Sequence, residues 1–171
     1  MEDFRKVFER ALTAFVIFLL AVMVLLVLVA VALRLVGFPL VWYDEGASVL
    51  LAWLTYYGAA LAALKRAHIG FPGLVNSLSP RWRVAAVGFG ELCVVTFFAL
   101  LAWFGFQVLR VLGGDTLVSI PVPTQLTQSV IPIGGALFIV AQLLSLPEVL
   151  RQARGTGLVD HELAPAQEAN A

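Results

Sequence analysis

The feature of this sequence that most restricts its fold is an apolar run from Ala11 to Leu33 that holds no charged residue. At 1.5 Å per residue, a helix over this run is about 34 Å long, which is enough to cross a hydrocarbon core of about 30 Å. A cleaved secretory leader has an apolar core of only about 7–15 residues, so the run is typical of a retained membrane anchor. Arg34 ends the run, and Gly37 and Pro39 then break the helix.

Three further apolar segments follow, separated by stretches that hold glycine, proline and charged residues. The chain is 61% hydrophobic and 13% charged, whereas soluble domains are about 25% charged. We therefore predict an all-α integral membrane protein with a single domain over residues 1–154 and a disordered cytoplasmic tail over residues 155–171. The four predicted transmembrane helices cover about residues 11–33, 46–64, 84–109 and 125–146.

Two short amphipathic segments predict helices that lie in the membrane plane. Residues 1–12 have apolar side chains on one side and charged side chains on the other, and they form either an in-plane helix or the helical start of the first span. The dipeptide Ser79-Pro80 predicts the N-cap and the first residue of the third long helix. The second in-plane helix is predicted from Leu74, Val75, Leu78 and Trp82.

Basic residues predict the orientation of the four spans, because they concentrate in cytoplasmic segments. Nine basic residues precede the first span, lie between the second and third, or follow the fourth, whereas two lie on the opposite side. We therefore expect both termini and the central loop in the cytoplasm. The nine are Arg5, Lys6, Arg10, Lys65, Arg66, Arg81, Arg83, Arg151 and Arg154, and the two are Arg34 and Arg110.

The second span, within Trp42 to Ile69, carries a one-sided pattern of small and polar residues at alternating spacings of three and four. That spacing keeps them on one helix face, and in lipid small residues mark where another helix packs closely. We expect this 45–66 stripe to be a subunit interface, so that a bulky change such as Ala59→Trp weakens assembly. The 45–66 stripe consists of Glu45, Ser48, Ala52, Thr55, Ala59, Ala62 and Arg66.

The remaining face of the second span is bulky and is expected to meet lipid tails or looser neighbours. Its residues are Leu50, Leu51, Trp53, Leu54, Tyr57, Leu61 and Leu64. The aromatic residues of the second and third spans are likewise predicted to face lipid or to pack, not to form a binding box. They are Trp53, Phe97, Phe98 and Trp103.

Three acidic residues each allow a structural and a functional interpretation. Asp44 is best explained as a helix cap, while Glu45 either complements the helix dipole or contacts a partner subunit. Glu91 is the one ionisable residue clearly inside the hydrocarbon region. It is either a proton carrier or ion ligand, or a structural carboxyl that is neutral or bonded to a donor, and we favour the structural role. The donors considered are Arg66, His68, Arg81 and a group on a partner.

The fourth span should be bent near its start. Pro132 removes one backbone hydrogen bond and is followed by Gly134-Gly135. Gln128 or Ser129 is expected to help satisfy the freed carbonyl. A turn is also expected at residues 113–115, and Pro121 and Pro123 exclude regular helix just before the span.

Several kinds of chemistry lack the residues they need. Haem held between helices usually needs two facing axial ligands, but the two histidines are His68 at a membrane edge and His161 in the tail. No metalloprotease, phosphate-loop or nucleophile-elbow motif is present. The formal net charge is zero, which gives no basic surplus for nucleic acid. We therefore predict no catalytic residue, no metal ligand, no cofactor and no nucleic-acid partner.

The order of motifs resembles one family of membrane proteins. Trp42-Tyr43-Asp44-Glu45 opens the second span and Lys65-Arg66-Ala67-His68-Ile69 closes it, while Ile131-Pro132-Ile133-Gly134 lies in the fourth. Over roughly residues 10–150 this resembles the small, DctQ-type membrane subunit of tripartite ATP-independent periplasmic (TRAP) transporters. The positions that match the family pattern are Glu45, Arg66, His68, Ile69, Pro132 and Gly134. Where the family often has an acid after the His-Ile pair, this chain reads Gly70-Phe71-Pro72-Gly73.

The resemblance implies a division of labour in a bacterial inner membrane. A periplasmic solute-binding protein captures an organic anion, commonly a carboxylate, and a large elevator-type membrane subunit moves it, driven by an ion gradient that is usually of sodium. The small subunit looks like a non-catalytic scaffold that braces the large one among the membrane lipids. Two alternatives remain: a small redox or quinone-site enzyme that uses Glu91 and His68, or an independent homo-oligomeric channel that Glu91→Gln would block.

Overall fold

The chain folds into helices joined by short loops. A computed structural model describes residues 2–65, 75 and 77–155, with side chains from residue 5 onward. No β-strand forms in these residues; Thr116 and Pro123 make an isolated antiparallel bridge. The predicted all-α class is confirmed. The helices whose full extent these residues show are α1 (Glu2–Leu35), α2 (Tyr43–Lys65), α3 (Pro80–Val111), α4 (Thr124–Gln128) and α5 (Val130–Arg154).

Four helical segments are long and apolar enough to cross a membrane: α1, α2, α3, and α4 together with α5. This confirms the predicted number of spans. Large apolar side chains point outward along them: Leu25 of α1 is 62% exposed and Phe97 of α3 is 60% exposed. In water such a surface would be unfavourable, whereas in a bilayer lipid tails cover it.

Local sequence signals account for where the helices end. Gly37, at φ +85°, follows α1, and the amide N–H groups of Gly37 and Phe38 donate to the carbonyl oxygens of Arg34 and Leu33. This is the hydrogen-bond pattern of a Schellman C-terminus, which needs a left-handed residue and therefore favours glycine. At the other end of the bundle, α3 begins at Pro80, as predicted, although the Ser79 side chain makes no capping bond.

The helices are ordered α1, α2, α5, α3 across the bundle. Close packing joins α1 to α2, α2 to α5 and α5 to α3, whereas α1 and α3 are not a closely packed pair in the described part of the chain. A buried cluster fills the space between α1, α2 and α5, with Tyr57, Leu64 and Phe138 among its largest members. Phe15 of α1 meets Tyr57 edge-on, with ring centroids 4.7 Å apart.

Ion pairs join three helices at the end of the bundle that carries most of the basic residues, here called the basic end. Arg5 lies 3.2 Å from Glu148 of α5 and also donates to the carbonyl oxygen of Leu64 at the end of α2. Lys65 lies 3.5 Å from Glu9. The four side chains are between 32% and 45% exposed. Because water screens such pairs, each contributes at most about 1 kcal/mol to the stability of the fold.

The expected bend in the fourth span takes the form of a break at Ser129, between α4 and α5. Pro132 then lies in the first turn of α5, where a missing backbone donor costs least. Side chains supply hydrogen bonds to carbonyl oxygens beside the break: Ser129 donates to Leu126 at 2.6 Å and Trp53 of α2 donates to Thr127 at 3.1 Å. Pro132 frees the carbonyl of Gln128, four residues back, so neither of these bonds is the predicted one to the freed carbonyl.

The structure corrects one prediction about the first helix, and other predictions concern residues that lie partly or wholly outside the described part of the chain. Residues 2–12 belong to the continuous helix α1, so the second interpretation, a helical start to the first span, is correct and a separate in-plane helix there is wrong. Helix α5 continues through Pro147 to Arg154, with Val149 and Ala153 buried after the proline, while the end of the membrane span at about residue 146 stays a prediction. Of the residues that predict the second in-plane helix, Leu74 lies outside the described residues, Val75 is helical, Leu78 lies in a bend and Trp82 belongs to α3. Residues 156–171 of the predicted tail lie outside the described residues.

A candidate subunit interface on the second helix

The 45–66 stripe lies on a side of α2 that the described chain leaves largely open. Ser48 and Thr55 are exposed, Ala52 and Ala62 are half-buried, and Ala59 packs at the edge of the core. The two hydroxyls donate to carbonyl oxygens one turn back in the same helix, Ser48 to Asp44 at 2.7 Å and Thr55 to Leu51 at 2.8 Å. The described part of the stripe therefore presents small side chains whose two hydroxyls are already bonded, which suits close helix packing in lipid.

The chain uses a neighbouring face of α2 for its own packing. The buried residues Ala60 and Ala63 directly follow Ala59 and Ala62 of the stripe, so they point about 100° further around the helix. Tyr57 and Leu64 are also buried, at 8% and 0% exposure. The expectation that the bulky face would meet lipid or loose neighbours is wrong for these two, because α1 and α5 cover it.

The carboxylate of Glu45 binds the loop between α3 and α4. It accepts hydrogen bonds from the backbone N–H groups of Val118 at 3.0 Å and Ser119 at 2.8 Å. The loop is a tight hairpin: it starts at Gly114, at φ +99°, and the Leu117 N–H donates to the carbonyl oxygen of Val122. Neither interpretation of Glu45 included this role, since its partners are more than 70 residues away in the sequence.

Replacing Glu45 with alanine should release this hairpin. Because hydrogen bonds to a charged group stabilise by roughly 1.5–3 kcal/mol, we expect amide hydrogen exchange at Val118 and Ser119 to become about tenfold faster or more. Hydrogen exchange followed by mass spectrometry measures this directly. Asp44→Ala is the matched control, since Asp44 is exposed and no hydrogen bond from the described loop reaches its carboxylate. Equal exchange in wild type and Glu45→Ala would contradict the role given to Glu45.

An open cleft of about 390 Å³ adjoins the stripe at the Glu45 end of α2. Glu45, Ser48 and Ala52 form one wall, and residues of α4, α5 and the hairpin form the other, including Gln128 and Ile131. The cleft is rimmed by carboxylates and lined by apolar side chains deeper in. It extends the open surface of the stripe from the middle of α2 to the hairpin.

Glu91 of α3 is bonded within the chain. Its carboxyl oxygen accepts a short hydrogen bond from the side-chain amide of Gln142 on α5. This supports the structural interpretation, but Gln142 was not among the expected donors. Of those donors, Arg66 and His68 lie outside the described residues.

The family-pattern glycine Gly134 lies at a close contact between α5 and α2. A Cβ added there would lie 2.7 Å from Cβ of Tyr56 on α2. At the adjacent Gly135 an added Cβ would lie 3.2 Å from Cβ of Ala102 on α3. On α3, Gly105 faces Ile131 and Pro132 at similarly short range. The glycines thus let α5 approach α2 on one side and α3 on the other.

The aromatic residues pack as predicted, with one addition. Phe97 and Trp103 are 60% and 63% exposed, Phe98 stacks on Phe138 with ring centroids 3.7 Å apart, and Trp53 also donates the hydrogen bond described above. In the described residues no three histidine, cysteine, aspartate or glutamate side chains come together. The remaining family-pattern positions, Arg66, His68 and Ile69, lie outside the described residues.

Comparison with known proteins adds one finding. Residues 23–152 match the family described as tripartite ATP-independent periplasmic transporters, DctQ component. The matched segment includes α2, α3, α4, the hairpin, most of α5 and the C-terminal part of α1. No curated protein is similar enough to the chain to count as a match.

Proposed function

Because the chain belongs to the DctQ family of TRAP transporter components, we propose that it is the non-catalytic scaffold subunit that braces the large, elevator-type membrane subunit. The remaining parts of the proposal follow from the same family. The large subunit binds the solute, an organic anion such as a carboxylate, and an ion gradient, usually of sodium, drives uptake. A periplasmic solute-binding protein delivers the solute, and the complex lies in a bacterial inner membrane.

One observation supports the scaffold role above the others: the open 45–66 stripe on a helix whose adjacent face is fully packed. Helix α2 is held from behind by α1 and α5, so the stripe is presented on a rigid element. Exposed Ser48 and Thr55 have no covering helix in the described part of the chain. A rigid, shallow helix face is what a close helix–helix contact in lipid requires.

A second observation supports the absence of a transport path in this chain. Ion and proton pathways need several ionisable groups across the bilayer. In the described spans, Glu91 is the acidic residue near the middle of a helix, and the side-chain amide of Gln142 donates a hydrogen bond to one of its carboxyl oxygens. The ion pairs at the basic end join helix termini and do not continue inward.

The proposal is tested by adding bulk to the stripe. Thr55→Trp should weaken association with the large subunit about tenfold or more, because an overpacked contact typically costs 1–3 kcal/mol. Thr55 is preferred to Ala59 for this test, because Ala59 packs against the core of its own chain and a bulky residue there could also disturb the fold. The measurement is co-purification with the large subunit, followed by solute uptake in reconstituted liposomes.

Thr96→Trp is the matched control, because Thr96 is equally an exposed threonine in a membrane helix, α3. Its yield of complex should equal that of the wild type. If Thr55→Trp also assembles and transports at the wild-type level, the 45–66 stripe is not the interface.

The proposed orientation has both termini in the cytoplasm, supported by the basic residues at one end of the bundle. The pairs Arg5–Glu148 and Lys65–Glu9 bring the starts and ends of three helices to that end. A reporter enzyme that is active only outside the cytoplasm, fused after Arg154, should therefore be silent. The same reporter inserted in the loop after Gly114 should be active, and the reverse pattern would overturn the orientation.

A further inference from the structure

Two openings lie between α3 and α5, about one helical turn apart, and together they are called the α3–α5 groove, which leads from the basic end toward the middle of the bundle. Its mouth is a cleft of about 390 Å³ lined by residues that include Arg81 and Arg154. Below it lies an apolar cavity of about 280 Å³, where Gly88 and Leu92 of α3 face Leu146 and Leu150 of α5. The lining residues recur every three or four positions on both helices, so the mouth and the cavity lie on the same helix faces.

The mouth of the groove is positively charged. Arg81 and Arg154 are both exposed, and in the described part of the chain neither forms an ion pair with a carboxylate. Arg81 lies in the first turn of α3, where the helix dipole adds positive potential. Basic pockets between transmembrane helices are favourable sites for acidic lipid headgroups.

The length of the apolar part corresponds to one leaflet. The cavity extends from Gly88 to Val95 on α3, and Val84 of the mouth continues its apolar lining, so that Val84 to Val95 measures about 16 Å along the helix axis. Half of a hydrocarbon core is about 15 Å. Gly88 leaves the groove open at mid-depth, because a Cβ added there would meet no neighbouring atom within 4 Å. The hydrogen-bonded pair Glu91 and Gln142 lies beside the inner part of the cavity.

We propose that the α3–α5 groove is a binding site for one anionic phospholipid. Its phosphate lies between Arg81 and Arg154, and one acyl chain lies along Gly88, Leu92, Leu146 and Leu150. Two exposed arginines above an apolar channel match the charge and the dimensions of such a lipid. A packed helix of another subunit would fill the apolar part but has no need of the arginine pair. The site is distinct from the 45–66 stripe, so the inference stands apart from the proposed scaffold role.

The experiment uses the full chain, purified in detergent and stripped of lipid. Mixed micelles that contain phosphatidylglycerol or phosphatidylcholine at equal mole fraction are titrated in, and thermal unfolding reports binding. We expect phosphatidylglycerol to bind more tightly. Arg81→Gln and Arg154→Gln should each weaken its binding about fivefold, whereas Arg34→Gln, which removes a charge at the other end of the bundle, should not.

A second pair of variants tests the acyl channel. Gly88→Leu should fill the groove and abolish the preference for the anionic lipid. Gly90→Leu is the matched control, because it is also a glycine of α3 with open space at its Cβ, but it points about 200° around the helix from Gly88. Both variants should fold, since neither added Cβ meets a neighbour.

Three outcomes would overturn the site. Equal binding of the two lipids is one, and unchanged phosphatidylglycerol binding in the arginine variants or in Gly88→Leu is another. The third is a photo-crosslinker placed at Leu92 that reacts with a protein helix, not with lipid, in the complete transporter. Preferential phosphatidylglycerol binding that is lost in Arg81→Gln, Arg154→Gln and Gly88→Leu, and kept in Arg34→Gln and Gly90→Leu, would establish it.

Discussion

Gly134→Leu is expected to separate α5 from α2 and to lower the unfolding free energy of the purified chain by about 3 kcal/mol or more. The first added atom alone would lie 2.7 Å from Cβ of Tyr56 and 3.0 Å from its Cδ1. A Cβ atom is fixed by the backbone, so Tyr56 cannot turn away and the helices must move apart. The hydrogen bond from Trp53 to the carbonyl of Thr127, which joins the same two helices, should then weaken as well.

The measurement is the midpoint of thermal or denaturant unfolding in a mild detergent. Gly134→Ala, which adds the clashing Cβ alone, should also lower this midpoint. Gly58→Ala is its matched control, because Gly58 is a glycine of α2 whose added Cβ would meet no neighbouring atom within 4 Å. Gly58→Ala should be neutral or stabilising by up to about 1 kcal/mol, since alanine is the better helix former. Wild-type stability of both Gly134 variants would show that the close approach of α2 and α5 is wrong.

Gln142→Leu is expected to have the second largest effect and to lower the unfolding free energy by about 1–3 kcal/mol. The substitution keeps the size of the side chain but removes the donor that reaches Glu91. A carboxyl group in an apolar environment without its hydrogen bond keeps the full cost of leaving water. The loss should therefore exceed that of an apolar change on the exposed surface of the same helix, such as Leu143→Ala.

The double variant Glu91→Leu with Gln142→Leu provides the decisive comparison. When both partners become apolar, no polar group is left unpaired, so the double variant should recover most of the stability lost in Gln142→Leu. Unfolding of the wild type, both single variants and the double variant gives the coupling energy between the two side chains. If the double variant is no more stable than Gln142→Leu alone, the bond from Gln142 does not account for the placement of Glu91.

The contrast between Glu45 and Glu91 shows how far sequence reasoning reached into the candidate sites. Both residues stood out in the sequence because acids are rare in apolar segments. Their partners did not: Val118 and Ser119 offer backbone amides, which carry no residue-specific signal, and Gln142 is a neutral side chain 51 positions from Glu91. The ion pairs Arg5–Glu148 and Lys65–Glu9 could not be chosen from the sequence either, because several acids and bases lie at the same bundle end.

The sequence by itself determined the four apolar helices, the end of α1 before Gly37, the start of α3 at Pro80 and the turn at Gly114. Each of these depends on a local property: the length of an apolar run, a left-handed backbone angle, or the missing N–H of proline. The small residues of the 45–66 stripe share one face for the same local reason.

Only the tertiary structure decided which face of α2 packs inside the chain and which stays open. In lipid both faces of a helix are apolar, so hydrophobicity does not select its rotation or its neighbours. Close packing selects them instead, through contacts such as Gly134 against Tyr56 and Gly135 against Ala102. These contacts turn the bulky side of α2 toward α1 and α5 and leave Ser48 and Thr55 facing outward.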